Sequence, residues 1–279
     1  MTEPVTVTAA PGWYPDPWRQ STWRWWVGVA WTPYTDQSVG AGAPKAEGQT
    51  PRAGGIAMLG FIVGLALSTV IGFVLIRMGY ETTDPSFLLG STIGLWVGLG
   101  GSCVVAVRHK GSGTLRDLGL DRPRWVDAAL GVGFGVVGVI GVSIIAATLQ
   151  AINEDLLPGG RSNISDPVDR GGALGIAVVY LIAVVGAPFF EELYFRGLVQ
   201  GTLASRWGFG IAVVVQAVLF GLVHIDPDNG WGNVGTFTII TAVGLGLGTI
   251  RHFSRRLPPG MFTHATYNAI IVTIAVVAR

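Results

Sequence analysis

The chain has 279 residues, 50% of them apolar and only 13% charged, with a formal net charge of +1 and a mean hydropathy of +0.53. That balance is too apolar for a soluble globular domain and speaks against nucleic acid as a partner, since no basic stripe stands clear of apolar context. The single cysteine, Cys103, lies inside an apolar run, so an intrachain disulfide is excluded and neither a metal cluster nor a thiol nucleophile is suggested.

Residues 11–35, PGWYPDPWRQSTWRWWVGVAWTPYT, hold six of the ten tryptophans: Trp13, Trp18, Trp23, Trp25, Trp26 and Trp31. Positions 23, 25, 27, 29 and 31 are all apolar, a period of two that predicts one or two short strands after a Pro-rich turn. So short a piece can bury little except through large rings. Two uses fit it: a cytoplasmic packing module or interfacial anchor, since tryptophan favours the headgroup region, and a domain that recruits a protein partner. The stretch resembles a small tryptophan-rich domain of unknown function found ahead of bacterial membrane proteins, with PGWYPDP and the terminal WT as the matching features. Val27 stands where that pattern often has an acidic residue. Residues 36–54, rich in Gly, Ala and Pro, predict a flexible linker, and no secretory signal core is expected in the first 53 residues.

Apolar runs then recur near 55–78, 87–107, 127–151, 173–190, 209–224, 233–250 and 260–278. Each is long enough, or nearly so, to cross a hydrocarbon core of ~30 Å at about 1.5 Å per residue. The expected fold is therefore an all-α polytopic membrane protein of about seven transmembrane helices, with a small β-rich cytoplasmic module ahead of them. Residues 55–172 form its N-terminal helices and 173–279 its core. Arg108, Lys110, Arg116, Arg122 and Arg124 fall in one connection, Arg251, Arg255 and Arg256 in another, and Arg19, Arg24, Lys45 and Arg52 precede the first span. Alternate connections are mostly acidic, so the positive-inside rule places the N-terminus in the cytoplasm. The many glycines of the spans predict close helix packing.

An ionisable side chain near the bilayer centre costs roughly 2.5–3.5 kcal/mol on the insertion scale, so the groups found there need a reason. Glu192 and Arg196 are four apart and share a helix face, where an ion pair lowers the cost of both, while Glu191 is turned about 100° away. Phe220 lies one turn before His224, and His264 and Asn268 are again four apart. If the helices on either side of Arg206–Gly208 fold back there, Glu191 and His224 reach the same height, ~23 Å from the turn. A carboxylate beside an imidazole can hold a water, remove its proton and return one to a leaving amine. A second histidine with an amide one turn on can stabilise a tetrahedral oxyanion. Glu191, His224 and His264 are equally a candidate ligand set for a divalent metal such as zinc; a metal or none are both left open. Bringing His224 and His264 to one level requires a tilted, broken or re-entrant helix, with Pro188 or Pro258 and Pro259 as break points.

In chain order the motifs read EELYFR, FGLVH and HATYN. The pattern E-E-x-x-x-R, F-x-x-x-H, H-x-x-x-N over residues 173–279, with LRDLGLDRPRW upstream, resembles the CPBP family of intramembrane proteases. This is the CAAX prenyl protease and bacteriocin-processing group, also called Abi proteins. The resemblance implies a bacterial membrane endopeptidase, labelled a metalloprotease in some accounts and glutamate-dependent in others, acting on a membrane-embedded or membrane-associated peptide. Glu191 and His224 would activate water, His264 and Asn268 would form the oxyanion site, and Glu192, Arg196 and Phe220 would support them. The rival expectation is a non-proteolytic membrane scaffold or immunity protein that recruits partners through the Trp-rich module. A transporter fits less well, because the charged groups gather in the last helices without a repeated half.

Overall fold

The computed structural model describes residues 12–18, 20–28, 30–36, 51–157 and 165–278. The chain divides into two compact units, Met1–Gly48 and Gln49–Arg279.

The first unit is an antiparallel sheet of three strands in sequence order: β1 (Gly12–Pro15), β2 (Trp23–Trp26) and β3 (Trp31–Asp36). The extra strand is β1: GWYP, expected as part of a turn, pairs with β2 as an edge strand, the position in a sheet that tolerates proline. Trp13 stands opposite Trp25 with ring centroids 5.6 Å apart. Trp26 stands opposite Trp31 at 5.0 Å. These aromatic contacts supply the apolar burial that so short a chain otherwise lacks.

Polar chemistry closes the β1–β2 turn. Asp16 accepts from the backbone N–H groups of Trp18 (3.1 Å), Gln20 (3.0 Å) and Ser21 (2.8 Å) and from Arg24 Nε (2.9 Å). The Arg24 guanidinium, helped by those amides, holds the Asp16 carboxyl down at about 2 against an ordinary 3.8. A depressed folded-state value means that the carboxylate stabilises the sheet above pH 4 and that this contribution is lost as pH falls from about 4 to about 2. Near-UV circular dichroism of the full chain, dominated by tryptophan, is expected to lose amplitude in that window. In Asp16→Asn the window should vanish; an unchanged acid transition in that variant would show that other groups govern it.

The second unit is helical: α1 (Pro51–Arg77), α2 (Pro85–Lys110), α3 (Trp125–Ile152), α4 (Ser165–Tyr180), α5 (Ala187–Glu191), α6 (Gln200–Leu222), α7 (Gly232–Ser254) and α8 (Pro258–Val277). Residues 37–50 of the expected linker lie outside the described residues, and α1 begins at Pro51. Among the described residues six helical segments are long and apolar enough to cross a membrane. One of them, Val168–Leu222, runs for 55 residues, and at about 1.5 Å each it would reach roughly 80 Å, far beyond a ~30 Å core. It turns back at Gly208, whose φ of 77° and ψ of 171° are open to glycine and interrupt the helix. That turn makes two crossings of one segment, so the protein is a polytopic integral membrane protein with six to seven spans.

Helix packing relies on small residues, as expected where lipid offers no hydrophobic drive between helices. Gly98 of α2 lies against the backbone of Gly60 and Gly64 of α1, leaving no room for a Cβ. Two buried glutamines clasp α7 from the two arms of the Gly208 hairpin: Gln200 Nε2 donates to Gly248 O (2.9 Å) and Gln216 Nε2 to Gly244 O (2.8 Å).

One end of the bundle is basic. Exposed Arg108, Arg116, Arg122, Arg124, Arg206 and Arg255 gather there, around a connection fastened to the α7–α8 turn. Leu257 N–H donates to Gly119 O (2.8 Å), Arg251 Nη2 to Leu118 O (3.3 Å) and Arg256 Nη1 to Asp127 (2.9 Å). The first turn of α1 is at this end too, with Gly54 beside Thr202.

This fastening also sets the height of His264 against that of Glu191. Gly197, eleven residues before Gly208, lies against Leu118 and Leu257, so α8 starts roughly 15 Å above the hairpin turn rather than level with it. From that start, His264 is seven residues up and Glu191 is six residues above Gly197. They come level because the hairpin tip overshoots the other helix ends, without a re-entrant helix at Pro258 or Pro259.

Candidate active site

The helix that carries Glu191 is not uniformly α. Leu181–Gly186 and Glu192–Val199 widen into π-helix, which places α5, with Glu191 as its last residue, between two wider turns, the second of which opens with Glu192. In the first of these, Ala187 N–H bonds to Ile182 O. The next donor in that register is residue 188, a proline with no N–H. Ala183 O is thereby freed, and Asn268 Nδ2 donates to it at 2.7 Å. Asn268 therefore spends one of its two amide hydrogens tying α8 to the π turn; the other remains for a ligand.

Glu192 and Arg196 are both fully buried, with Oε1 and Nη1 3.0 Å apart. The approach is close but off the N–H direction, so it is an ion pair without a well-formed hydrogen bond. The guanidinium also lies 4.2 Å over the Phe220 ring, a cation–π contact that substitutes for part of the lost water. Glu192 Oε1 is 3.2 Å from His264 Nδ1. A carboxylate only accepts, so Nδ1 carries the hydrogen, and in the Nδ1–H tautomer Nε2 is bare on the other side of the ring. That Nε2 faces Glu191 Oε2 at 3.9 Å.

His224 is fixed in the same sense. Its Nδ1 is 2.7 Å from Phe220 O, and a carbonyl also only accepts, so Nε2 is again the bare nitrogen. Phe220 packs edge-on against both imidazoles, with centroids 4.7 Å from His224 and 6.0 Å from His264. Glu191, His224, His264 and Asn268 line one cavity of about 270 Å³, together with Ala183, Ala187, Phe220 and Tyr267. Glu191 is the partly open member of its pair, 18% exposed where Glu192 is 0%.

All seven residues singled out by sequence are thus in or against one site, with a shift of partners. The imidazole nearest Glu191 is that of His264, and no ion-pair contact joins Glu191 to His224 among the described residues. Nor do any three His, Cys, Asp or Glu residues among them converge closely enough to hold a metal ion. The donor set Glu191, His224 and His264 does not fit a three-ligand centre. Sequence reasoning missed the Ala183 carbonyl and Gly260, where a Cβ would stand 3.0 Å from Glu192 Oε2. Pro188, five residues past Ala183, was the available signal for the first; nothing local pointed to the second.

The family model described as type II CAAX prenyl endopeptidase Rce1-like matches residues 173–270. YdiL of Bacillus subtilis (strain 168), described as a candidate membrane peptidase, is 24% identical over 97 residues, which cover 35% of this chain and 37% of that relative. No solved structure matches the chain. Residues 173–270, which contribute Glu191, His224, His264 and Asn268 to the cavity, belong to the Rce1-like, CAAX-protease type II (CPBP) family.

Proposed function

We propose that the protein is an intramembrane endopeptidase that hydrolyses a peptide bond of a membrane-associated protein or peptide, with Glu191 as the general base. One observation carries this reading: a carboxylate and two imidazoles with assigned tautomers, from three separate elements, line a single cavity inside an apolar bundle. Glu191 Oε2 and His264 Nε2, 3.9 Å apart, are both acceptors, too far apart to bond directly; a substrate water donating one hydrogen to each satisfies both. Its lone pairs then point away from the pair and towards a carbonyl carbon in the cavity.

Glu191 takes a proton as the water oxygen attacks, and the new C–O bond leaves a tetrahedral oxyanion. The second Asn268 N–H is the donor available to that oxyanion, and the bare Nε2 of His224, in the same cavity, can accept from the N–H of the scissile amide. As the C–N bond breaks, Glu191 returns the proton to the departing amine. Glu192, locked between Arg196 and His264, keeps the His264 tautomer and ring angle. The positive-inside rule assigns the basic end, and with it the N-terminus, to the cytoplasm of a bacterial cell.

The test is a comparison of membrane peptides from cells with no protein, with the protein and with its His224→Ala variant. Fragments ending at a common bond are expected only with the unsubstituted chain. Identical peptide sets in all three would remove the assignment.

A further inference from the structure

The Trp-rich module has no part in that chemistry, and its two faces differ. By register, Tyr14, Arg24, Trp26 and Trp31 share one face, where Trp26 and Arg24 are buried and Asp16 closes the corner. This is the module's own core. The opposite face carries Trp13 opposite Trp25, then Trp23 and, on β3, Thr32 and Tyr34. Its tryptophans are half-buried by one another and Tyr34 is 66% exposed. Apart from Asp36 at its edge, the register places no charged residue on it.

An uncharged face of amphipathic rings has the composition that settles at the headgroup boundary, where each ring keeps an apolar body in the acyl region and a polar N–H or O–H in water. The chain limits how far away it can be. Fourteen residues, 37–50, join β3 to α1. Fully extended they reach at most about 50 Å, and α1 starts at the basic end of the bundle. The module is therefore held near one leaflet at a high effective concentration, so weak interfacial partitioning suffices to dock it.

We propose that the Trp13, Trp23, Trp25 and Tyr34 face docks on lipid, in the headgroup boundary of the leaflet at the basic end, and serves as an interfacial anchor. The proposal is independent of hydrolysis at Glu191.

The full chain with Cys103→Ser, carrying a spin label at Tyr34→Cys or at Thr22→Cys in separate samples, tests it in vesicles of phosphatidylethanolamine and phosphatidylglycerol. Thr22 is exposed and lies in the β1–β2 turn, outside the aromatic face. Collision of the label with oxygen relative to a water-soluble nickel chelate should be several-fold higher at position 34 than at 22. Equal ratios would mean that the face is in water, and shielding of position 34 from both reagents would mean that protein covers it; either overturns the proposal. Hydroxyl-radical footprinting of the unsubstituted chain guards against a disturbed fold. Tyr34 should be oxidised more slowly than Trp18, which is 52% exposed outside that face, and faster oxidation of Tyr34 would also overturn it.

Discussion

Glu191→Gln is expected to leave the protein folded and nearly inactive. The substitution keeps the length and volume of the side chain, and Glu191 sits at the cavity wall rather than in the fully buried ion pair, so the thermal midpoint should hardly move. Chemistry is another matter. An amide cannot take the water's proton, and losing a general base costs on the order of 10²–10⁴-fold in rate. The loss should fall on kcat with KM little altered, because the carboxylate is asked to act on the water and not on the peptide. The measurement is single-turnover cleavage, in detergent, of the membrane peptide found by the peptide comparison. Retention of more than about a tenth of the rate would transfer the base's role elsewhere. His264→Ala tests the same water from its other side: it should lower the rate comparably, since only one of the two acceptors that aim the water would remain.

The spans were legible in the sequence because hydropathy is a local property, and a bilayer demands about 20 apolar residues wherever a helix crosses. The turn at Gly208 was legible for a related reason: a glycine between two apolar runs marks where the chain can reverse. Pairs four apart on one helix, such as Glu192 with Arg196, follow from helical geometry alone. What could not be read is the register between helices. Whether Glu191 meets His224 or His264 depends on how far the 200–222 hairpin slides past the start of α8, and that is set by Gly197 against Leu257 and by the Gly119–Leu257 hydrogen bond, contacts distant in sequence. The π turns were hidden as well, since their i→i+5 pattern leaves no mark on hydropathy; only Pro188 hinted that a carbonyl one turn earlier would go unpaired. In the N-terminal module β1 escaped notice because proline and glycine in PGWYP read as turn, whereas an edge strand tolerates both.

Arg196→Met should destabilise the protein far more than the loss of a surface ion pair would. The single change leaves Glu192 fully buried beside His264 without its guanidinium partner, and breaking a buried pair from one side costs about 3–5 kcal/mol. Glu192→Leu strands the guanidinium in the same way and should cost about as much. The double variant Glu192→Leu/Arg196→Met removes both charges and both desolvation penalties, so it is expected to recover most of that loss. A double-mutant cycle on unfolding in detergent measures this directly, with a coupling of several kcal/mol expected. Activity should not recover with stability. His264 Nδ1 donates to Glu192, and in the double variant leucine offers no acceptor, so the imidazole loses the bond that fixes its tautomer and aims Nε2 at the water. Glu192→Gln separates the two effects: its amide oxygen can still accept from His264, so a fraction of the activity should survive while the ion pair is lost. A stable double variant with full activity would show that Glu192 and Arg196 serve packing alone, and single variants within about 1 kcal/mol of the parent would show that the pair does not hold these helices together.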